Sequence, residues 1–136
     1  MGSVDYPVSA TSFALGAGAR FVARSIDTDQ KHMPKVLTRA HDHKGASFVE
    51  IFQNCIVYND GVFSDFAEKK SATDTQLHLE HGKPLIFGKE GNKGIRINHD
   101  IFDLEVVTIG EKGITTGDIL VHDETNRTGK ASQGQK

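Results

Sequence analysis

Apolar residues follow two different rhythms along the chain. From residue 9 to residue 53 they form runs and helix-spaced sets, and beyond residue 76 they shrink to brief alternating segments. The small-residue stretch Ser9-Ala10-Thr11-Ser12-Phe13-Ala14-Leu15-Gly16-Ala17-Gly18 predicts a short helix ending near Gly18, with Ser9 or Thr11 available as the N-terminal cap. Gly16 and Gly18 each weaken a helix by roughly 1 kcal/mol relative to alanine, which points to close packing against a neighbour. Arg20 to Ile26 is a strand-length run that turns at Asp27-Thr28-Asp29. Met33, Val36, Leu37 and Ala40 recur at helical spacing and predict a helix from Pro34 to His43, stopped by Lys44-Gly45. Ala46 to Gln53 is a nearly continuous apolar strand, of the kind found where helices cover both faces of a parallel sheet.

Helix, strand, helix, strand is one right-handed crossover unit of a parallel sheet. Two parallel strands do not make a stable domain, so the pattern points to a larger assembly. After Asn54 the texture changes. Phe63 to Lys70 predicts a short helix, with Phe63 and Phe66 on one side. Gln76–Glu80, Pro84–Phe87, Ile95–Ile97, Leu104–Ile109 and Ile119–Val121 then read as short strands separated by turn signals, forming a small antiparallel β appendage. Asp123 to Lys136 has Ala131 as its one hydrophobic residue and reads as a disordered tail.

Composition narrows the classes. The 136 residues carry 16 Lys and Arg against 18 Asp and Glu, with no block of like charge, so neither nucleic acid nor an anionic membrane is an expected partner. The longest uncharged stretch, Tyr6 to Ala19, is fourteen residues and falls short of the ~20 apolar residues of a membrane span. No signal peptide is expected at the N-terminus. One cysteine, Cys55, excludes an internal disulfide and fits a reducing, cytoplasmic compartment.

Cys55 is also the leading candidate for chemistry. It lies just past the carboxyl end of a predicted parallel strand, where α/β sheets bind ligands. The competing reading is a buried thiol acting as a small hydrophobe. Polar neighbours Asn54, Asn59 and Asp60 favour the rim of a site. His41-Asp42-His43 could be a metal or acid/base pair, but residues two apart on a helix diverge by about 200°, and complementing the dipole at a helix C-terminus is the simpler role. His32, His78, His81, His99 and His122 show no ligand spacing and are expected at the surface. Gly88-Lys89-Glu90-Gly91-Asn92-Lys93-Gly94 lacks the Gly-Lys-Ser/Thr ending of a phosphate loop and reads as a hairpin connection. Asp100, Asp103, Asp123 and Glu124 read as solvated turn carboxylates, and no nucleophile, base and orienter set stands as a triad.

The run from His43 through Gln53-Asn54-Cys55, continued by Ile56-Val57-Tyr58-Asn59-Asp60-Gly61-Val62-Phe63, closely resembles the β subunit of 2-oxoacid:ferredoxin oxidoreductases. Ser12 to Arg24, Glu80 to Gly88 and Asp118 to Glu124 extend the resemblance over nearly all of residues 3–125. Gln53-Asn54 before Cys55 leans it toward the 2-oxoglutarate branch. The resemblance implies an α/β fold: residues 1–60 as the C-terminal part of a thiamine-diphosphate-binding parallel-sheet domain, 61–125 as the small β appendage that follows it, and 126–136 as the tail.

In that family the β subunit holds thiamine diphosphate with Mg²⁺ and a [4Fe-4S] cluster on four cysteines. The thiamine decarboxylates a 2-oxoacid, electrons leave through the cluster to ferredoxin, and the acyl group passes to coenzyme A. Cys55 matches the last cluster cysteine. The other three, and the Gly-Asp-Gly-Asp segment for Mg²⁺ and diphosphate, are expected on sequence preceding Met1. The resemblance therefore implies a piece of a β subunit, truncated at both ends, that binds neither cofactor alone and works with an α subunit. Pyruvate or a broad range of 2-oxoacids is the alternative substrate class, and a non-catalytic α/β interaction module is the alternative from outside the enzymes.

Overall fold

In a computed structural model the described residues, 4–126, fall into two compact units that divide between Ala67 and Glu68. In the first, α1 (Ala10–Gly16) leads to β1 (Phe21–Ile26), and α2 (His32–Asp42) leads to β2 (Ser47–Phe52). The two strands pair in parallel through six residues, from Phe21 with Ser47 to Ile26 with Phe52. This is the crossover unit that the hydrophobic pattern predicts. Both helices pack on both strands.

Local chemistry sets the boundaries. Ser9 caps α1, its hydroxyl accepting from the Ser12 amide at 3.3 Å. The chain leaves α1 through Gly18, whose φ of +86° a side chain rarely adopts, and the Gly18 and Ala19 amides close back on the Leu15 and Ala14 carbonyls. Expected close packing at the α1 glycines is absent: a Cβ at Gly16 or Gly18 would meet nothing within 4 Å. Gly18 serves backbone conformation instead. Helix α2 begins two residues before Pro34, because the Asp29 carboxylate accepts from the amides of Lys31 and His32 at 3.2 and 2.9 Å. It ends at Asp42, where His43 turns extended before Gly45 is reached.

The strands are less covered than their apolar runs imply. Ser25 is buried in β1, whereas Ile51 of β2 is 40 % exposed and Ser47 is open. Among the described apolar side chains of this unit, Ala14 and Val36 are buried. Two strands and two short helices offer too little surface to enclose runs of this length.

Between β2 and the second unit lie the loop 53–63 and α3 (Ser64–Ala67). The single helix expected over Phe63 to Lys70 is broken, and α4 (Lys69–Thr75) begins the second unit after Glu68 adopts an extended backbone. There β3 (Ile86–Phe87), β4 (Lys93–Asn98) and β5 (Asp103–Thr108) form an antiparallel sheet in that order, with Gly88 to Asn92 as the hairpin connection between β3 and β4. Gln76–Glu80 makes no ladder. Ile119–Val121 lies along the sheet through amide bonds from Leu85 to the Leu120 carbonyl and from Leu120 to the Ile95 carbonyl, with one bridge from Val121 to Pro84. Most of the expected disordered tail, residues 127–136, lies outside the described residues.

The core of the second unit is Ile114, Ile119 and Leu120, with Ile119 only 2 % exposed. Ile119 sits directly on buried Gly94, so that a Cβ on Gly94 would overlap its Cδ1 and Cγ1 atoms. Across β4 and β5, Arg96 donates to Glu105, which also accepts from Asn98 at 3.1 Å, and the Arg96 bond holds the Glu105 carboxyl below its ordinary range. Gly94→Ala is expected to destabilise this unit by about 1–3 kcal/mol through overpacking. Adding Ile119→Val, which removes the most crowded methyl, recovers part of that loss in urea unfolding. A wild-type midpoint for Gly94→Ala would contradict the packing.

Candidate functional site: the Cys55 loop

Parallel pairing delivers the carboxyl ends of β1 and β2 side by side, and the Asp27 amide donates to the Phe52 carbonyl just beyond the ladder. From that edge the chain makes a loop and returns at Phe63. The rings of Phe52 and Phe63 stack at 4.8 Å, Phe66 of α3 tilts against both at 5.7 and 5.5 Å, and the Arg24 guanidinium lies 4.7 Å above Phe52. Arg24 is itself fixed by Glu50 at 2.6 Å and by the Thr11 hydroxyl at 3.0 Å. An aromatic cluster with a cation on its face thus ties together both ends of the loop.

Within the loop, Asn54 works in two directions. Its Nδ2 donates to Asp60 Oδ1 at 2.8 Å, and its Oδ1 accepts from the Gly61 amide at 2.9 Å. Gly61 takes φ +72°, a conformation that glycine tolerates best. The Asn59 amide donates to the Cys55 carbonyl at 3.0 Å, and the two residues form an isolated antiparallel bridge. Cys55 is therefore the start of a closed turn.

The Cys55 side chain is exposed. This decides against the buried-hydrophobe reading. The neighbouring backbone holds the thiol below its ordinary value, the Tyr58 amide having the largest effect, then that of Val57, with slight burial opposing them and the Asn59 amide adding less. Amide donors favour the thiolate, the form that ligates metals and attacks electrophiles. Around it, Ile56, Val57 and Tyr58 are 77, 76 and 90 % exposed, an uncovered apolar rim.

The other candidates are not brought together. His41 is exposed, and His43, turned away from the end of α2, packs its ring 5.5 Å from Phe21 with a buried Nε2 that has no hydrogen-bond partner. That nitrogen lies 3.3 Å from where a Cβ of Gly45 would stand, beside a cleft of about 330 Å³ at the amino ends of the strands. His32, expected at the surface, is half-buried, its Nδ1 3.0 Å from the Ser25 hydroxyl. His122 is half-buried as well, while His78, His81 and His99 are exposed. The Asp100 amide donates to the Asn98 side chain, Asp103 at the start of β5 accepts from the Leu104 amide, and Asp123 accepts from the hydroxyl and amide of Thr125. The Asn54 clamp and the Arg24 cation over Phe52 escaped sequence reasoning in their geometry, although the polar residues around Cys55 were visible.

Among the described residues, no group of three or more His, Cys, Asp or Glu side chains is placed to hold a metal ion. Cys55 is an accessible sulfur, of the chemistry that an iron–sulfur cluster takes as one of its ligands. The described residues do not offer a set that fits Mg²⁺ and a diphosphate.

Over 123 residues the chain is 40 % identical to the 2-oxoglutarate oxidoreductase subunit KorB of Mycobacterium tuberculosis, covering 90 % of this chain and 32 % of that protein. This chain is similar to proteins named as 2-oxoacid oxidoreductase subunits. The 2-oxoacid:ferredoxin oxidoreductase subunit beta of Saccharolobus solfataricus is 28 % identical over 68 residues, half of this chain and 22 % of that subunit. Subunit beta of 2-oxoacid:ferredoxin oxidoreductase 1 from Aeropyrum pernix is 32 % identical over 59 residues, 43 % of this chain and 19 % of that subunit. The chain thus spans a third or less of the length of these relatives. No family model matches it, and no solved structure does. Among the described residues no helix is long and apolar enough to cross a membrane.

With its thiol held low, Cys55 is expected to alkylate with iodoacetamide along a pH profile whose midpoint lies below the ~8.5 of a free cysteine. A midpoint at or above that value would show that the amides do not act on the sulfur.

Proposed function

We propose that this chain is part of the β subunit of an oxidoreductase that oxidatively decarboxylates 2-oxoglutarate to its acyl-CoA and passes the electrons to ferredoxin. The observation that carries the reading is the Cys55 loop: an exposed thiol that the neighbouring backbone holds low, in a chain similar to such subunits. In this reading Cys55 is one of four thiolates around a [4Fe-4S] cluster, and the remaining three come from polypeptide outside this chain. The cluster supplies one-electron transfer when bound. Thiamine diphosphate and Mg²⁺ belong to the same subunit but are held by residues elsewhere, and an α subunit completes the enzyme. What this chain contributes is position: β1 and β2 fix the edge, the phenylalanine cluster anchors the loop, and the amides stabilise negative charge on the sulfur.

The 2-oxoglutarate assignment draws on the resemblance around Gln53-Asn54-Cys55 and on the name of the KorB relative. A second reading, with pyruvate or a range of 2-oxoacids as substrate, draws on the Saccharolobus and Aeropyrum relatives, whose names specify only a 2-oxoacid.

The test is to co-express the chain with the rest of the β subunit and the α subunit, then measure bound iron and ferredoxin reduction. The expected outcome is a brown complex that reduces ferredoxin with 2-oxoglutarate and coenzyme A faster than with pyruvate, and that loses its cluster absorbance in Cys55→Ala. A colourless complex, or one whose iron content ignores Cys55→Ala, removes Cys55 from the cluster. Preference for pyruvate selects the second reading.

A further inference from the structure

Strand β5 closes one side of the second unit's sheet, whose order is β3-β4-β5, and its outer edge is open. One bond fixes which backbone groups face that edge. The Ile109 amide donates to the Asn92 carbonyl at 2.7 Å, so the β5 residues that hydrogen-bond to β4 in this antiparallel register are Asp103, Glu105 and Val107. The amides and carbonyls of Leu104, Val106 and Thr108 therefore point away from β4. Two of these groups are engaged within the chain: the Leu104 amide donates to the Asp103 carboxylate at 2.7 Å, and the Thr108 carbonyl accepts from the Glu111 amide at 3.3 Å. The side chains of Leu104 and Val106 are 61 and 62 % exposed, and the hairpin tip beside them leaves Ile101 and Phe102 uncovered. Residues 103–108 contain neither the lysine nor the proline with which proteins blunt such an edge.

Self-complementarity selects the occupant. When a second copy of β5 lies antiparallel to the first with Val106 opposite Val106, the two valines exchange both of their outward hydrogen bonds. Each Leu104 carbonyl then meets a Thr108 amide, and the two groups already engaged, the Leu104 amide and the Thr108 carbonyl, face one another. Asp103 lies opposite Ile109 and Glu105 opposite Val107, so no like charges are directly opposed. Neighbouring registers lose this match. Sliding to the next hydrogen-bonding register in one direction sets Glu105 against Glu105, and in the other it sets the open Val106 amide against the engaged Thr108 carbonyl.

We propose that this edge is an interface between two copies of the chain, joined by β5 strands paired antiparallel about Val106 into one continuous sheet. Such a contact is isologous, with the same patch used on both sides. A strand of unrelated sequence would have no reason to place its engaged groups opposite those of β5. The interface lies within the second unit and does not rest on Cys55 or on the reaction proposed above.

The test uses the full chain in sedimentation velocity over a dilution series, with hydrogen exchange read amide by amide. The expected result is a dimer in which the Val106 amide is protected and loses that protection on dilution, while the adjacent Val107 amide, bonded to β4, stays protected throughout. Val106→Lys sets two cations against each other and is expected to weaken dimerisation about tenfold or more, as Val106→Glu does with two anions. An equimolar mixture of the two variants is expected to dimerise again, because pairing about Val106 puts the opposite charges face to face. A wild-type chain that is monomeric at every concentration up to its solubility limit overturns the proposal, as does a dimer whose Val106 amide exchanges as freely as in the monomer. Folded variants that dimerise singly like the wild type, or whose mixture stays monomeric, overturn it as well. The wild-type exchange pattern decides the matter whether or not either variant folds.

Discussion

Parallel pairing of β1 with β2 is the constraint on which the candidate site depends. Six residue pairs from Phe21 with Ser47 to Ile26 with Phe52 force both strands to end at one edge. Everything beyond that edge is short-range chemistry. Arg24, in the middle of β1, pairs with Glu50 opposite it on β2 and so brings its guanidinium over the ring of Phe52. Phe52 stacks on Phe63, and the segment from Gln53 to Gly61 is left to close on itself through Asn54. Slippage of the register by one residue would turn Phe52 to the other face and dismantle the anchor.

The same edge accounts for the uneven burial of the molecule. On the proposed reading Cys55 must be reachable, and it is exposed together with Ile56, Val57 and Tyr58. Apolar side chains at a thiolate are poorly placed for water and well placed to exclude it once iron and its other ligands are present. On that reading, coverage by the rest of a subunit would account for their exposure here.

Much of the first unit was legible in the sequence, because its signals are local. Ser9 as a cap, the helical spacing of Val36, Leu37 and Ala40, and the strand runs at 21–26 and 47–52 each reflect periodicity or capping that acts within a few residues. Errors arose where a residue's role depended on distant partners. Gly16 and Gly18 looked like packing sites and met nothing, and His32 looked superficial until Ser25 of β1 came within 3.0 Å. Gln76–Glu80 alternates like a strand but finds no neighbour to pair with, and Glu68 broke one expected helix into two. At the site, position and polarity marked Cys55. The clamp could not be read because Asn54 and Asp60 are six residues apart in a segment with no period, where pairing follows from the turn itself.

The central claim is that Cys55 is one corner of an iron–sulfur cluster shared with polypeptide beyond this chain. Anomalous diffraction at the iron edge from crystals of the assembled complex tests it most directly. The account predicts iron at bonding distance from the Cys55 sulfur, with three further thiolates arriving from outside residues 1–136. Iron bound by four other ligands, with Cys55 free at the surface, would contradict it.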